Sequence, residues 1–298
     1  MIKKKIKEII KTVLPQKYYN AAAMYYSFLK SKLGHSKVKK VFFVLSTGRC
    51  GTCFLSNILN LANNATVLHR PLPGLESINP AAYELFIKNR DKFNNIRVND
   101  FPLAARHALI YKGVDTEIFG DCYNSIYPFA IAFFYFFAER KIDVKFIHLV
   151  RHPYECCESI FVSERPESRE GSANFSVRAD LLKKASSPAE IACDVWTGIN
   201  EVIKYEINYL EKLKPGMTRL VRMEDMSNLD NVIDLYKWLG LNIPDIDDIL
   251  RVIQNKSDRI RNPHRLPLYD RGDARITEEE QSIIKRKIYP YLKLYGYS

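Results

Sequence analysis

Apolar residues along this chain follow two alternating patterns, one typical of buried strands and one typical of helices. Residues 41–45 form a continuous apolar run, and residues 66–68, 144–150 and 219–221 repeat the strand signature. Between them lie segments whose apolar residues recur at helical spacing. Because strands separated by helices form parallel sheets covered on both faces, this pattern predicts an α/β fold with three layers, α/β/α, around a central parallel sheet.

Helix boundary signals support the same pattern. A Ser-Pro pair at 187–188 predicts the start of a long helix, and a Pro-Gly pair at 215–216 predicts its end. Thr277 and Glu280 form a capping box at the start of the last helix. The apolar stretch 129–138 is shorter than the about 20 residues needed to span a bilayer, so it predicts a buried core helix.

Residues 1–38 are predicted to be a basic, amphipathic helical appendage, and residues 39–298 a single domain. Isoleucines at positions 2, 6, 9 and 10 recur at helical spacing, while lysines occupy the remaining face. Such a helix either lies on an anionic membrane surface or packs its isoleucines on the body of the protein. The sequence leaves both alternatives open.

The composition is that of an ordinary globular protein with a basic charge. Among 298 residues, 45 Lys and Arg face 34 Asp and Glu, a formal net charge of +11, and 47% of residues are hydrophobic. These values exclude disordered, collagen-like and disulfide-scaffold classes. The basic run at 3–7 is followed by no apolar region, so it predicts no secretory signal. Six irregularly spaced cysteines predict reduced thiols and a cytoplasmic protein. In the first of the two alternatives, the N-terminal helix would make a peripheral contact at the inner membrane surface.

The segment after the first strand has the pattern of an anion-binding loop. Gly48 and Gly51 interrupt the chain, and a helix is predicted from about Thr52. Backbone N–H groups and the positive end of that helix would point at one phosphate or sulfate, with Thr52 and Cys53 in the first turn and Arg49 beside them. The loop lacks the Lys-Ser/Thr pair of a Walker A sequence, and it is not GxGxxG.

These residues carry a resemblance to a known family. Arg49-Cys50-Gly51-Thr52-Cys53-Phe54-Leu55 resembles the 5′-phosphosulfate loop of the sulfotransferases, which use 3′-phosphoadenosine 5′-phosphosulfate (PAPS). In that family the loop reads Lys or Arg, any residue, Gly, Thr, and then often Thr or Ser. Cys53 departs from the usual hydroxyl residue, which affects one hydrogen bond.

A second segment resembles the 3′-phosphate site of the same family, a strand ending in Arg with a Ser eight residues later. Here Arg151 ends a predicted strand, Pro153 opens a helix and Ser159 lies two turns into it. Together, and in the family's order, the two motifs are similar to those of a bacterial-type, P-loop-like sulfotransferase. Further segments similar to bacterial members are 196–200, 221–225, 239–241 and 295–297.

The resemblance implies PAPS as donor, 3′,5′-adenosine bisphosphate (PAP) as product, a hydroxyl acceptor and no metal ion. Arg49 would be catalytic, stabilising the oxygen that leaves, while Arg151 and Ser159 would bind the 3′-phosphate and Phe54 would lie near the adenine. The implied cofactor-binding residues are Gly48, Arg49, Cys50, Gly51, Thr52, Cys53, Phe54, Arg151 and Ser159.

In-line transfer to a hydroxyl also needs a base for the proton. His69 follows the predicted strand 66–68, and the carboxyl ends of strands in an open α/β sheet face the ligand crevice. Many bacterial members have a His-Glu-Pro stretch here, but in this chain Arg70 replaces the Glu. We therefore prefer His69 as the catalytic base and keep Glu76 and Asp121 as alternatives.

Several assignments have a structural alternative. Cys50 and Cys53 have the spacing of half a zinc or redox site but lack a second Cys/His pair at suitable spacing. His148 is predicted to be a core residue, and His152 a structural neighbour of Arg151. A basic cluster either closes over the anionic cofactor or forms a solvated loop: Arg259, Arg261, His264 and Arg265.

The sequence does not decide the acceptor, which is either a glycan or glycolipid or a sterol-like alcohol. The aromatic-rich stretch 123–137 leaves room for the sterol-like alcohol.

Two other functional classes are kept as alternatives. A phosphoryl-transferring kinase would share the anion loop but needs a P-loop Lys and a magnesium carboxylate. An anion- or nucleic-acid-binding protein would explain the charge, but no recognised module is present and the basic residues are spread along the chain, so no nucleic-acid partner is predicted.

Overall fold

The computed structural model describes residues 37–69, 114–123, 127, 130–163, 187–254 and 276–297. Apart from residues 37 and 38, the predicted N-terminal appendage lies outside these ranges. So do Arg70, Glu76 and the basic cluster Arg259, Arg261, His264 and Arg265. Their assignments stay predictions.

Strands and helices alternate along the described chain. In order, they are β1 (Lys40–Leu45), α1 (Thr52–Leu59), β2 (Ala65–Leu68), β3 (Ile118–Asp121), α2 (Ala130–Ala138), β4 (Asp143–Val150), α3 (Pro153–Ser163), α4 (Pro188–Leu213), β5 (Thr218–Arg222), α5 (Leu229–Leu239), α6 (Ile246–Gln254) and α7 (Glu278–Leu292). Short 3₁₀ turns follow β5 at Glu224–Ser227 and α7 at Lys293–Tyr295. The four predicted strands and the predicted helix starts at Thr52, Pro153 and residues 187–188 are confirmed.

The five strands form one parallel sheet in the order β2-β3-β1-β4-β5. The predicted three-layer α/β/α class is therefore confirmed. β1 lies at the centre, with β3 on one side and β4 on the other, so the direction of strand addition reverses at β1. In open α/β sheets ligands bind beyond the carboxyl ends of the strands at such a reversal, which directs attention to the loops after β1 and β4.

β3 was not predicted from the sequence. It has four residues, and Gly120 and Asp121 interrupt its apolar pattern. Glycine is required there by packing, because a Cβ on Gly120 would lie 2.2 Å from Cζ of Phe42 in the neighbouring strand. When packing against a neighbouring strand determines the residues of a strand, its own sequence shows only a weak strand pattern.

The two faces of the sheet bury two apolar clusters, because side chains alternate along a strand. Phe42 and Val44 of β1 face a cluster with residues from α1 and α3 to α7. Phe43 faces the cluster that includes α2, where its ring stacks on Phe133 at 4.4 Å. The apolar stretch predicted as a core helix is thus α2. Phe133 and Phe137 are fully buried against the sheet, so core packing accounts for much of the aromatic content of this stretch.

Side-chain caps mark the starts of three helices. Ser187 accepts a hydrogen bond from the backbone N–H of Glu190 at α4, and Asn228 accepts one from Asp230 at α5. Thr277 and Glu280 form the predicted capping box at α7. Among the described helices, none combines the length and the apolar character needed to cross a membrane.

His148 of β4 is a core residue, as predicted, and makes stability depend on pH. Its ring is buried and lies 3.0 Å from the Asn200 side-chain oxygen, and burial lowers the His148 pKa to about 4. In the unfolded chain His148 has an ordinary pKa near 6.5 and binds the proton more readily. The contribution of neutral His148 to stability is therefore fully present above about pH 6.5 and is lost as the pH falls towards 4.

We expect His148 to reduce the free energy of unfolding by about 2 kcal/mol between pH 7 and pH 5. Urea unfolding at the two pH values measures this loss. His148→Gln keeps a polar amide in a similar volume but cannot titrate, so its loss should be smaller by that amount. Equal losses in the two proteins would contradict the assignment.

Candidate functional site

The loop between β1 and α1 turns through three residues in the left-handed region. Gly48, Arg49 and Gly51 have φ values of 80°, 59° and 89°. For Arg49 this conformation is uncommon and carries strain, of the kind that is often found at functional sites. At Gly51 any side chain would be strained at this φ, and a Cβ would lie 2.5 Å from Sδ of Met223, which would have to move. The result is a tight loop in which Cys50 is buried and Arg49 is exposed.

The start of α1 differs from the three capped helices. Its N-cap is Gly51, no side chain among the described residues caps it, and its first turn contains no acidic residue. The first N–H groups of a helix have no partner within the helix, and the helix dipole adds positive potential there. Together with the turns of the loop, this geometry suits a bound anion.

His69 reaches this loop from the end of β2. Its Nε2 atom lies 3.0 Å from Oγ1 of Thr52, the first residue of α1. The connection β1-α1-β2 therefore brings the preferred base candidate to the predicted phosphosulfate loop. Which of the two atoms donates depends on the imidazole tautomer.

Asp121, an alternative base candidate, lies at the end of β3 and is fully buried. Its Oδ1 accepts a hydrogen bond from the Tyr123 backbone N–H at 3.0 Å. Phe119 belongs to the α2-side cluster, so the alternation of the strand places Asp121 on that same face. His69 meets α1 on the opposite face, and the structure thus separates the two candidates.

Arg151 emerges from the end of β4, beside β1, and Pro153 begins α3. Its Nε and Nη2 atoms donate to Oε2 of Glu155 at 2.9 and 2.5 Å, and its side chain is 34% exposed. Ser159 is half-buried two turns into the same helix. Glu155 was not singled out from the sequence, although a carboxylate four residues after an Arg on a helix is a recognisable pair.

The start of α3 is also held from the C-terminal segment. Glu224 accepts a hydrogen bond from the His152 backbone N–H at 2.7 Å, and its second oxygen accepts one from the Tyr297 hydroxyl at 2.7 Å. The Tyr297 ring packs on the His152 ring at 5.0 Å, and burial together with Glu224 raises the Tyr297 pKa. Segments 221–225 and 295–297, noted for their resemblance, thus meet at the predicted 3′-phosphate motif. No local signal identified Glu224.

The two motifs touch through a cysteine pair. Sγ of Cys50 in the loop lies 3.5 Å from Sγ of Cys156 in α3, and both thiols donate to the Gly48 carbonyl, at 3.2 and 3.4 Å. Oγ1 of Thr47 lies 3.1 Å from the Cys50 sulfur. The hydrogen bonds from Cys156 and Thr47, with the Arg151 charge, lower the Cys50 pKa against the opposing effect of burial. Thr47 and Cys156 were not singled out from the sequence.

The remaining predicted residues lie in the first turns of α1. Phe54 is half-buried and packs against the α1-side core cluster, and Cys53 is half-buried beside Thr52. The structure therefore brings the loop 48–51, the start of α1 and His69 together at one edge of the sheet, and it places Cys156, five residues after Arg151, against this loop. Their roles in binding stay predictions.

Comparisons with known proteins identify the fold. No family model matches the sequence, and no curated protein matches it. A solved sulfotransferase from Mycobacterium avium is similar in structure, with a TM-score of 0.51 at 11% identity, over 94% of this chain and 82% of that one.

Two further solved structures resemble the chain more weakly. One is a sulfotransferase from Alicyclobacillus acidocaldarius, with a TM-score of 0.48 at 12% identity over 88% of this chain and 97% of that one. The other is the sulfotransferase domain of the Synechococcus olefin synthase, with a TM-score of 0.38 at 16% identity over 85% and 96%.

Proposed function

The chain has a bacterial-type sulfotransferase fold, as its similarity to the Mycobacterium avium structure shows, and we propose that it transfers a sulfuryl group from PAPS to an acceptor hydroxyl. One observation carries the proposal: the loop after β1 and the arginine after β4, far apart in sequence, lie side by side, with the Cys50 and Cys156 sulfurs 3.5 Å apart. A donor with anionic groups at both its 5′ and 3′ positions needs two such sites close together.

The loop after β1 fits the 5′-phosphosulfate. Its left-handed turns and the uncapped start of α1 present N–H groups to an anion, and Thr52 adds a hydroxyl. Arg49, exposed beside them, supplies a positive charge where negative charge develops on the departing oxygen. These groups are in place before the reaction, so little reorganisation is needed.

Arg151 and Ser159 fit the 3′-phosphate. A guanidinium offers a planar set of donors and a permanent charge, and Glu155 holds that plane through Nε and Nη2. Glu224 fixes the backbone of His152, the residue that follows Arg151. The first turn of α3 is therefore held in position from both sides.

His69 is the base in this proposal, supported by its contact with Thr52 at the loop. A neutral imidazole nitrogen can take the proton of an acceptor hydroxyl as the sulfur–oxygen bond forms. For the acceptor we propose a glycan or glycolipid hydroxyl. The sterol-like alternative loses part of its support, because Phe133 and Phe137 are used in the core.

We expect Arg151→Ala to weaken PAP binding by about 10–150-fold, the loss of one or two hydrogen bonds between charged groups. Binding of adenosine 5′-monophosphate, which lacks the 3′-phosphate, should change by less than about threefold, within the range of an ordinary surface substitution. Isothermal titration calorimetry with both nucleotides measures the difference. Arg251→Ala is a matched control, because Arg251 lies on α6 and pairs with Asp248. An equal loss for both nucleotides would contradict the 3′-phosphate assignment.

The proposed function is tested by the unfolding temperature with PAP, ADP and magnesium-ATP. A ligand at 100 times its dissociation constant stabilises by about 2.7 kcal/mol, which raises the unfolding temperature by about 4 °C in a chain of this size. We expect the largest rise in unfolding temperature with PAP. In an acceptor screen with labelled PAPS, we expect transfer of the labelled sulfuryl group to an acceptor. A larger rise with magnesium-ATP would favour the kinase alternative.

A further inference from the structure

Cys50 and Cys156 join the two proposed donor-binding segments. Their sulfurs are 3.5 Å apart, in hydrogen-bonding contact, and both residues are buried. One belongs to the loop after β1, and the other lies in α3 five residues after Arg151. A disulfide holds its sulfurs at about 2.05 Å, so the two atoms have to approach each other by about 1.5 Å for the covalent bond to form.

We propose that Cys50 and Cys156 are a site of reversible oxidation, at which a hydroperoxide forms a disulfide that switches off donor binding. The formation of the disulfide stands on the geometry alone. Its effect on the donor rests on the proposed function.

The surroundings of the pair divide the two chemical roles. Cys156, Thr47 and the charge of Arg151 lower the Cys50 pKa, while contact with Cys50 and burial raise the Cys156 pKa. Cys50 lies in the loop next to the exposed Arg49, whereas Cys156 lies within α3, so we assign the first attack to Cys50 and the resolving role to Cys156. A second cysteine pair, Cys157 and Cys193, lies nearby. Burial and contact with Cys193 raise the pKa of Cys157.

The reaction consumes one peroxide and two thiols. The Cys50 thiolate attacks a peroxide oxygen, the O–O bond breaks, and the departing hydroxide takes up the proton that Cys50 had released, which gives a sulfenic acid and water. The Cys156 sulfur then attacks the Cys50 sulfur. The S–S bond forms, the S–O bond breaks, and the hydroxyl leaves with the Cys156 proton as a second water. The thiols lose two electrons, which the peroxide gains, and a thiol reductant reverses the change.

Burial restricts the oxidant to a small one. Cys50 is 1% exposed and Cys156 is fully buried, so a bulky disulfide reagent reaches them only when the loop opens. Hydrogen peroxide is small, and Cys50 directly follows the exposed Arg49 in the chain. A ligand that holds the loop closed should therefore slow the oxidation.

Disulfide formation changes the loop that would bind the phosphosulfate. Gly48 accepts hydrogen bonds from both thiols through its carbonyl oxygen, and a disulfide has no S–H group left to donate. Drawing the two sulfurs together also moves Cys50 relative to its neighbours Arg49 and Gly51, both in the left-handed region. The backbone N–H groups on either side of Cys50 then no longer converge on one anion.

The test uses the full chain, oxidised with hydrogen peroxide and digested without reduction. Mass spectrometry should find a peptide in which Cys50 is linked to Cys156, and prior addition of PAP should slow its formation. The rise in unfolding temperature with PAP should disappear on oxidation and return with dithiothreitol. Absence of the linked peptide, or its presence with an unchanged PAP response, would overturn the proposal.

Two cysteine variants separate this pair from general oxidative damage. Cys156→Ser keeps a donor for the Gly48 carbonyl but cannot form the disulfide, so its PAP response should survive peroxide. Cys193→Ser removes the second pair, Cys157 and Cys193. After treatment with peroxide, this variant should lose its PAP response as the wild type does. Loss in both variants would show that the disulfide is not what switches off donor binding, and it would overturn the proposal. If the reduced wild type shows no PAP response, the proposed function fails, while the linked peptide still decides whether the disulfide forms.

Discussion

Replacing Arg49 by alanine is expected to lower the rate of sulfuryl transfer by about 10²–10³-fold, the usual cost of removing one preorganised donor that faces developing charge. Arg49 extends from the loop after β1, beside the start of α1. Its φ of 59° is as unusual for alanine as for arginine, so the substitution does not relieve the backbone. The change therefore removes the guanidinium and leaves the loop in its conformation.

The expected loss is in the chemical step and not in donor binding. Single-turnover rates with labelled PAPS measure the first, and PAP titration measures the second, where we expect a change of no more than about fivefold, because the remaining loop and Arg151 still hold the two anionic groups. Arg49→Lys keeps the charge at the same place and should retain much of the rate. Full activity in Arg49→Ala would remove this residue from the mechanism.

The His69→Gln variant is expected to lose about 10²–10⁴-fold in transfer rate, which is the range for a general base. Glutamine keeps a polar side chain near Oγ1 of Thr52, now 3.0 Å from the imidazole, but it cannot accept a proton. Donor binding should therefore be nearly unchanged. Single-turnover rates with labelled PAPS measure the loss, and PAP titration checks donor binding.

Asp121→Asn is the matched comparison for the base assignment. Asp121 is buried on the α2 face, where its carboxylate accepts from the Tyr123 backbone. An asparagine preserves this hydrogen bond through its amide oxygen, so a rate within about threefold of the wild type is expected if His69 is the base. If Asp121→Asn loses the transfer rate and His69→Gln keeps it, the base assignment is reversed.

The stretch around β3 shows where sequence patterns fail. β1 and β4 were recognised from long apolar runs, since central parallel strands are buried on both faces. β3 has only four residues, and its Gly120 is explained by the Phe42 ring of the adjacent strand. The reason for this glycine lies in another part of the chain, so no local period reveals it.

In the candidate site too, local sequence patterns identified some residues, and contacts between distant parts of the chain revealed the others. Gly51 was found from the pattern of a strand, a loop and a helix, whereas Arg151 and Ser159 were found from their resemblance to the 3′-phosphate motif of the sulfotransferases. Both patterns are features of neighbouring residues. Glu224 and Cys156 were not found. Their significance comes from contacts with His152 and Cys50, residues 72 and 106 positions away.

Local sequence determined the elements of this protein and the chemistry each could carry: strand and helix periods, helix caps, and two anion-binding motifs. Tertiary structure decided which of these elements meet. The parallel order of the sheet brings the loop after β1 beside Arg151 and brings His69 to Thr52, and the C-terminal segment supports the motif after β4. The physical reason is that backbone preferences act over a few residues, whereas burial of the two apolar clusters acts over the whole chain and selects its distant contacts.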